Sequence, residues 1–549
     1  MTTPLRLDAL HFEAPGPGPW EAESAHLPRP CPRIFQEIVP PRFARAFSAM
    51  TLRYGGLLSH LHHAFVHEIP YVQQVPAPAE EIPTRFANAE RALGERLWRQ
   101  DLARWDDEVK PAAIRRHLEL QGVDLEALGD EELLDHLDQC IEHSGAMIEQ
   151  HHYFTGASVV PTGDFLNQVG KWADLPPGQL LRCLRGSAPV SAGQSPELEA
   201  LADALLHNDA ARRSLDAWAP ARELIETLRH WPGAVGAAAS DYLAHHEWRI
   251  ADGFTAGDPC AIEVPEVLVT AIRAAVASNS PADAQGDADK TAELVRSLLP
   301  DDRRGEFDEL LAEARLTYRL RDERGIYSDV WAAGILRRAM LETGGRLAER
   351  GRVAEPVDAV EAGAAELVAL VRGTGGPSAG DLAERARFRA GARTIDAPQE
   401  LGPPPPPPPP MDELPPAVRR VNEAIVTVMQ HLFGNAEASA ATSPQAVRGI
   451  GASPGIVEGR ARVLAGPDEI GLLERGDVLV TTSTSEAFNQ VLPLLAGIVT
   501  DSGGLLSHAA IVAREFGIPC VAGCRVATRE VSDGAMVRID GGGGEVRIL

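Results

Sequence analysis

One histidine in this chain stands where helix physics makes an imidazole a nucleophile. Residues 497–523 read GIVTDSGGLLSHAAIVAREFGIPCVAG. The pattern predicts a strand over Gly497–Thr500 and a turn at Gly503 and Gly504, a conformation glycine enters at low cost. Ser507 suits an N-cap, and a helix follows from about His508 to Phe516, ended by Gly517 and Pro519. His508 then lies in the first helical turn, beside unpaired backbone N–H groups and the positive end of the dipole. That field disfavours imidazolium, so the ring stays neutral and nucleophilic near pH 7. The free N–H groups can hold a phosphoryl oxygen, and the glycines let a large charged donor approach.

The same stretch closely resembles the phosphohistidine (swivelling) domain of the PEP-utilising enzymes, a family that includes PEP synthase, pyruvate phosphate dikinase, rifampicin phosphotransferase and phenylphosphate synthase. The shared positions are Gly503, Gly504, Ser507, His508, Ala513, Arg514, Gly517, Ile518, Pro519 and Gly523. The dikinases usually carry Thr two residues before the histidine. Leu506 stands here, which looks more like the rifampicin and phenylphosphate branch. The resemblance implies that His508 is phosphorylated, with Gly503, Gly504, Ser507 and Arg514 shaping the phosphate-binding turn.

The elements that must position this histidine occupy a chain of 549 residues, enough for three to four domains on the usual size prior. The formal charge of −26 argues against nucleic acid or an anionic membrane as partner, since both need basic patches. No 18-residue apolar run or leader pattern is evident, and the six scattered cysteines read as reduced, buried thiols of a cytoplasmic protein.

The expected fold is multidomain: a large, mainly α-helical substrate-binding body and a C-terminal β/β/α swivelling domain. Residues 1–33 form a Pro/Gly-rich arm. Its run Pro-Gly-Pro-Gly-Pro-Trp-Glu and later His-Leu-Pro-Arg-Pro resembles the opening of stand-alone relatives of phenylphosphate synthase, which makes it an ordered arm on the helical body. Residues 34–395 form that body, as one domain or as two subdomains split near 160–200 or at the polar 278–290 stretch. Within it, 85–120, 131–152, 306–320 and 329–350 have helical periodicity, and 262–268 is a weak strand candidate. Residues 396–446 make a linker: eight prolines, Pro403–Pro410, must be extended at ~3.1 Å per residue. A helix with Val418, Val421, Ile425, Val428 and Leu432 on one face and a flexible tether from 434 to 446 follow. From 447 to 549 the period is that of strands, with a helix near 485–494 and the His508 helix.

Two histidine groups, His60–His67 and His143–His152, fall together. His63 and His67 could share a helix face, but no HExxH-type signature accompanies them. Structural or substrate-pocket roles are expected, with no metal site; one of them could act as a base toward an acceptor hydroxyl.

Residues 241–268 and 303–351 resemble the central substrate-binding region of rifampicin phosphotransferase and its relatives. The resemblance rests on Arg249, on Arg315 and the Arg321–Asp322 pair, and on Arg337 and Arg338 in the helix leading to Gly345, Arg346, Leu347 and Gly351. The family more often has Glu where Asp322 stands. These residues are read either as helix-surface charges in ion pairs or as an acceptor-site lining that steadies a phosphoryl group leaving His508. Relatives often show Thr…Asp-Pro-x-Trp near 481–490, where this chain reads TTSTSEAFNQ.

No ATP-grasp module or P-loop is evident, so the resemblance implies a split arrangement. A separate ATP-grasp-type subunit would bind ATP and Mg²⁺ and pass the β-phosphate to His508. The chain would then carry it to a small hydroxyl-bearing acceptor, in ping-pong fashion. Other readings are a non-catalytic regulatory or scaffold homologue, and a metal-dependent hydrolase built on the histidine groups.

Overall fold

The computed structural model describes residues 7–191, 193–215, 219–277, 284–405, 410–433, 446–485, 488–489 and 491–549. They fall into two compact units. The first gathers Met1–Gly156, Trp248–Cys260 and Arg324–Asn422; the second gathers Ala157–Glu247, Ala261–Glu323 and Glu423–Leu549. Each draws on three separate stretches, an arrangement that composition along the chain does not display.

In the first unit the Asp130–Tyr153 helix packs against both Arg33–Tyr54 and Asp329–Glu349. Asp130, Glu131 and Glu132 occupy its first turn, where negative charge suits the dipole, and His151 and His152 lie in its last. The expected helix over 85–120 is a succession of pieces: Ile82–Gly94, Leu97–Arg104, a π-helical turn Trp105–Val109 and Lys110–Gln121.

A four-stranded antiparallel sheet of β1 (Trp20–Ala22), β2 (Leu58–Val66), β3 (Ile69–Pro76) and β4 (Glu400–Leu401) has the order β2-β3-β1-β4. Within the arm, β1 pairs with β3 and with β4, Trp20 facing Leu401, and buries the Trp20 indole with Ile69, Tyr71 and Ala397. The β2–β3 hairpin corrects the helical reading of this stretch. His67 and Glu68 have φ of 51° and 65°, the left-handed pair that a two-residue hairpin turn requires. His63 and His67 therefore lie on a strand and in its turn, not one helical turn apart.

In the second unit, helices Pro196–Leu206, Ala221–Arg229, Ala234–His246 and Glu266–Val276 enclose a core that includes Leu201, Leu205, Ile225, Leu228, Tyr242 and Ile272. Residues 262–268 are not a strand: Pro265 precedes the helix that starts at Glu266. Helix Arg304–Tyr318 buries Phe307, Leu310, Leu311, Ala314 and Tyr318, the apolar face its spacing predicts.

The C-terminal part is an eight-stranded mixed sheet. It comprises β5 (Ala446–Arg448), β6 (Ile450–Ser453), β7 (Ile456–Leu464), β8 (Val478–Thr481), β9 (Gly497–Thr500), β10 (Cys520–Ala522), β11 (Met536–Asp540) and β12 (Glu545–Ile548), in the order β5-β12-β11-β7-β8-β9-β10-β6. Strands β7 to β10 are parallel to one another, and β8, β9 and β10 are buried along their whole length, as central parallel strands are. Of the expected helix near 485–494, residues 486, 487 and 490 lie outside the described residues, and the described ones show 3-10 conformation at Phe488 and at Leu492–Leu494 rather than an α-helix.

Residues 406–409 of the proline run, 434–445 of the expected tether and 278–283 of the polar stretch lie outside the described residues. The helix between proline run and tether is Pro416–Phe433, with Val418, Val421, Ile425 and Val428 buried. No helix among the described residues is long and apolar enough to cross a membrane.

Candidate functional site

Strand β9 delivers the chain to a turn that only glycine fits. Gly503 has φ +98°, and a Cβ there would meet the Ser507 Cβ at 2.6 Å. Its neighbour Gly504 has no such φ; its carbonyl instead accepts from the Ser507 N–H at 3.1 Å and the Ser507 hydroxyl at 2.8 Å. Ser507 occupies the N-cap position without a side-chain cap, because that hydroxyl turns back to the glycine. The helix His508–Phe516 follows and ends in a left-handed Gly517, where the Ile518 N–H reaches the Ala513 carbonyl. Gly523, also left-handed at φ +69°, lets β10 leave close to Gly503: a Cβ there would meet the Gly503 carbonyl at 2.7 Å.

His508 is thus the first helical residue, with its side chain 19% exposed. Asn489 Oδ1 lies 2.7 Å from Nε2, and Asp322 Oδ2 lies 3.9 Å from Nδ1. Burial is the main cause that holds the ring below the ordinary histidine pKa. Asp322 pulls it up, Arg321 pushes it down, and the Ser485 backbone pulls it up. The neutral imidazole expected from the helix dipole is therefore present, chiefly through desolvation. Both ring nitrogens face oxygen acceptors in this arrangement, so attack on phosphorus requires one of them to be vacated.

Within the second unit, residues of the stretches 157–247 and 261–323 contact the histidine helix. Arg185 Nε donates to the Glu515 carbonyl at 2.9 Å, and the Gly186 N–H donates to Glu515 Oε2 at 2.7 Å. Burial raises the Glu515 carboxyl to about 7, against the pull of the Gly186 N–H, Arg514 and Arg185. Ser191 Oγ donates to Asp322. Arg321 Nε is buried without a hydrogen-bond partner among the described residues, and burial lowers that guanidinium's pKa.

The remaining residues singled out in the sequence divide. Arg514 is buried and donates to the Ala452 carbonyl at 3.0 Å, tying the histidine helix to β6. Arg315 is held by the Cys183 carbonyl and Asp289 at 2.8 and 2.7 Å. Arg249, Arg337 and Arg338 belong to the first unit. There Arg249 lies over the rings of Tyr327 and Trp331, Arg337 donates to the Ala256 carbonyl, and Arg338 donates to the Val123 carbonyl and lies over Trp248. Of the acceptor candidates, Arg321 and Asp322 are thus the ones found beside His508. Asn489, Ser191 and Glu515 were not anticipated. Asn489 falls in the segment where this chain departs from the family pattern, and no local signal marks it.

Comparison with known proteins places these features. Residues 473–544 match the family described as PEP-utilising enzyme, mobile domain, and residues 156–322 match the rifampicin phosphotransferase fourth domain. The chain is 47% identical over 95 residues to a probable phosphoenolpyruvate synthase of Archaeoglobus fulgidus, which is 17% of this chain and 13% of that protein. It is 45% identical over 104 residues to a rifampicin phosphotransferase of Streptomyces sviceus, 19% of this chain and 12% of that protein. It is 48% identical over 95 residues to a phosphoenolpyruvate synthase of Pyrococcus furiosus, 17% and 12% respectively. The chain therefore spans only about an eighth of the length of each of these relatives. His508 and its glycine turn lie inside the first matched segment, and Ser191 and Asp322 inside the second.

Proposed function

We propose that His508 is the phosphoryl carrier of a phosphotransferase. A P–N bond forms on the imidazole as a P–O bond of the donor breaks; then a P–O bond to the acceptor forms as P–N breaks, and the acceptor's hydroxyl proton goes to a base. The observation that carries the reading is the ring itself: held neutral, partly exposed, first in its helix, with Arg321 close enough to act on it. The two matched segments support phosphoryl transfer as the class of reaction. The donor proposed is ATP bound with Mg²⁺ by an ATP-grasp-type partner, and the acceptor a small hydroxyl compound. Gly503, Gly504 and Ser507 shape the turn that receives the phosphoryl oxygens, and Arg321 screens their charge. Asn489 must release Nε2, or the ring must leave Asp322, before a donor can engage.

The experiment treats the full chain with phosphoramidate, a small phosphoryl donor that needs no partner. The expected product carries one phosphoryl group on His508, labile to acid, stable to alkali and absent in His508→Ala. Absence of label on the folded wild-type chain, or label that persists in the variant, overturns the proposal.

A further inference from the structure

A second histidine site lies in the first unit. His151 and His152 end the Asp130–Tyr153 helix, and Asp329 begins Asp329–Glu349. One ligand atom from each of the three lies within 4.8 Å of the other two. His151 Nδ1 is already 2.7 Å from Asp329 Oδ1, and the two imidazoles stack with centroids 4.5 Å apart and planes 14° from parallel. We propose that His151, His152 and Asp329 bind a divalent transition-metal cation.

Chemistry and geometry agree on this. Two imidazoles and one carboxylate suit Zn²⁺, Fe²⁺ or Mn²⁺, whereas Mg²⁺ and Ca²⁺ prefer all-oxygen shells. Bonds of about 2.1 Å put neighbouring ligand atoms roughly 3–4 Å apart, so a closure of an ångström or so completes the set. The helix end that carries the histidines presents its negative pole, which favours a cation there. Gln150 Nε2 donates to Ser328 Oγ at 2.8 Å, which pins together the two chain segments that supply the ligands.

The surroundings fit as well. His151 and Asp329 keep 16% and 15% of their side-chain surface, shielded yet reachable. The Phe43 ring backs the site, 4.1 Å from the His152 ring and 4.4 Å from that of His63. Against these, Arg324 donates to the His151 carbonyl and to Thr155 Oγ1, and its positive charge opposes a cation at the site.

The test uses the full-length chain stripped with chelator and titrated with Zn²⁺, Co²⁺ or Mg²⁺. One equivalent of Zn²⁺ is expected to bind, Co²⁺ to give a visible d–d band, and Mg²⁺ to bind at least about tenfold more weakly. Zn²⁺ is also expected to raise the melting temperature of the wild type and not that of Asp329→Asn. His152→Ala and Asp329→Asn should each weaken binding at least about tenfold while near-UV circular dichroism is kept. His60→Ala, on β2, should bind like the wild type. Absence of saturable Zn²⁺ binding, or Zn²⁺ affinity in His152→Ala and Asp329→Asn equal to that of the wild type, overturns the site and leaves only a hydrogen-bonded His–Asp pair.

Discussion

His508 opens a helix; His151 and His152 close one. The two ends of a helix act oppositely on an imidazole: the first turn repels its proton, the last turn attracts it, each by up to about 1 kcal/mol at an exposed site. Yet His508 and His152 are shifted the same way, below the ordinary histidine value, and in both the leading cause is burial. At His152 burial prevails although Asp329 pulls upward. Desolvation of a buried ring outweighs a dipole of that size. What the helix end decides instead, under the two proposals, is which partner suits the ring: phosphoryl oxygens at the N-terminus, a cation at the C-terminus.

The sharpest break of this contrast is removal of the proposed nucleophile. His508→Gln should cut phosphoryl labelling by phosphoramidate at least about 1,000-fold, read by mass spectrometry of the intact chain. Undiminished label in that variant would show that the helix start does not select the reacting ring.

Glu515, on the same helix, tests the weight of burial. Its folded pKa is raised to about 7. Its stabilising share is therefore complete below the unfolded value near 4.5 and is lost as pH rises through about 7. Wild-type stability should fall by up to about 3 kcal/mol across that window. Glu515→Gln can still accept from the Gly186 N–H and should lack the decline. Urea unfolding at pH 4.5 and pH 8 measures both, and equal pH dependence in the two proteins would remove burial as the cause.

The turn ahead of the helix offers a smaller effect. Gly503→Ala forces a Cβ into a left-handed position against Ser507 and should cost about 1–3 kcal/mol. Gly305→Ala, within helix Arg304–Tyr318 with open space around its Cβ, should instead stabilise by about 0.5–1 kcal/mol. Thermal melts compare the pair, and similar costs at both positions would dismiss the turn argument.

The smallest effect is a shift of a titration. Labelling of the wild type should fall on acidification with a midpoint below 6.5, as protonation blocks the ring's lone pair. Asp322→Asn should move that midpoint lower still, because Asp322 is the nearby charge that favours imidazolium. A midpoint moving upward would mean that the carboxylate does not act on His508.

Much of the site was legible because it is local. The glycine turn, the cap position of Ser507, the helix from His508 and its stop at Gly517 are consecutive in sequence, and each follows from backbone sterics. Strands β7 to β12 were legible for the same reason, through alternation and apolar runs, whereas the short β5 and β6 were not. The β2–β3 hairpin was not, since its turn residues are His67 and Glu68 rather than Asn-Gly or Asp-Gly.

What surrounds the ring was closed to sequence reasoning. Asn489, Asp322 and Ser191 come from three distant stretches, and Gly186 meets Glu515 across more than three hundred residues. Sequence alone determined that His508 would begin a helix beside a tight turn, because dihedral preferences and end-of-helix hydrogen bonding act over a few neighbours. Only the tertiary structure decided how dry that imidazole is, which oxygens face it, and that His151 and His152 meet Asp329. Desolvation and charge act through space, and the chain order does not record which distant groups share it.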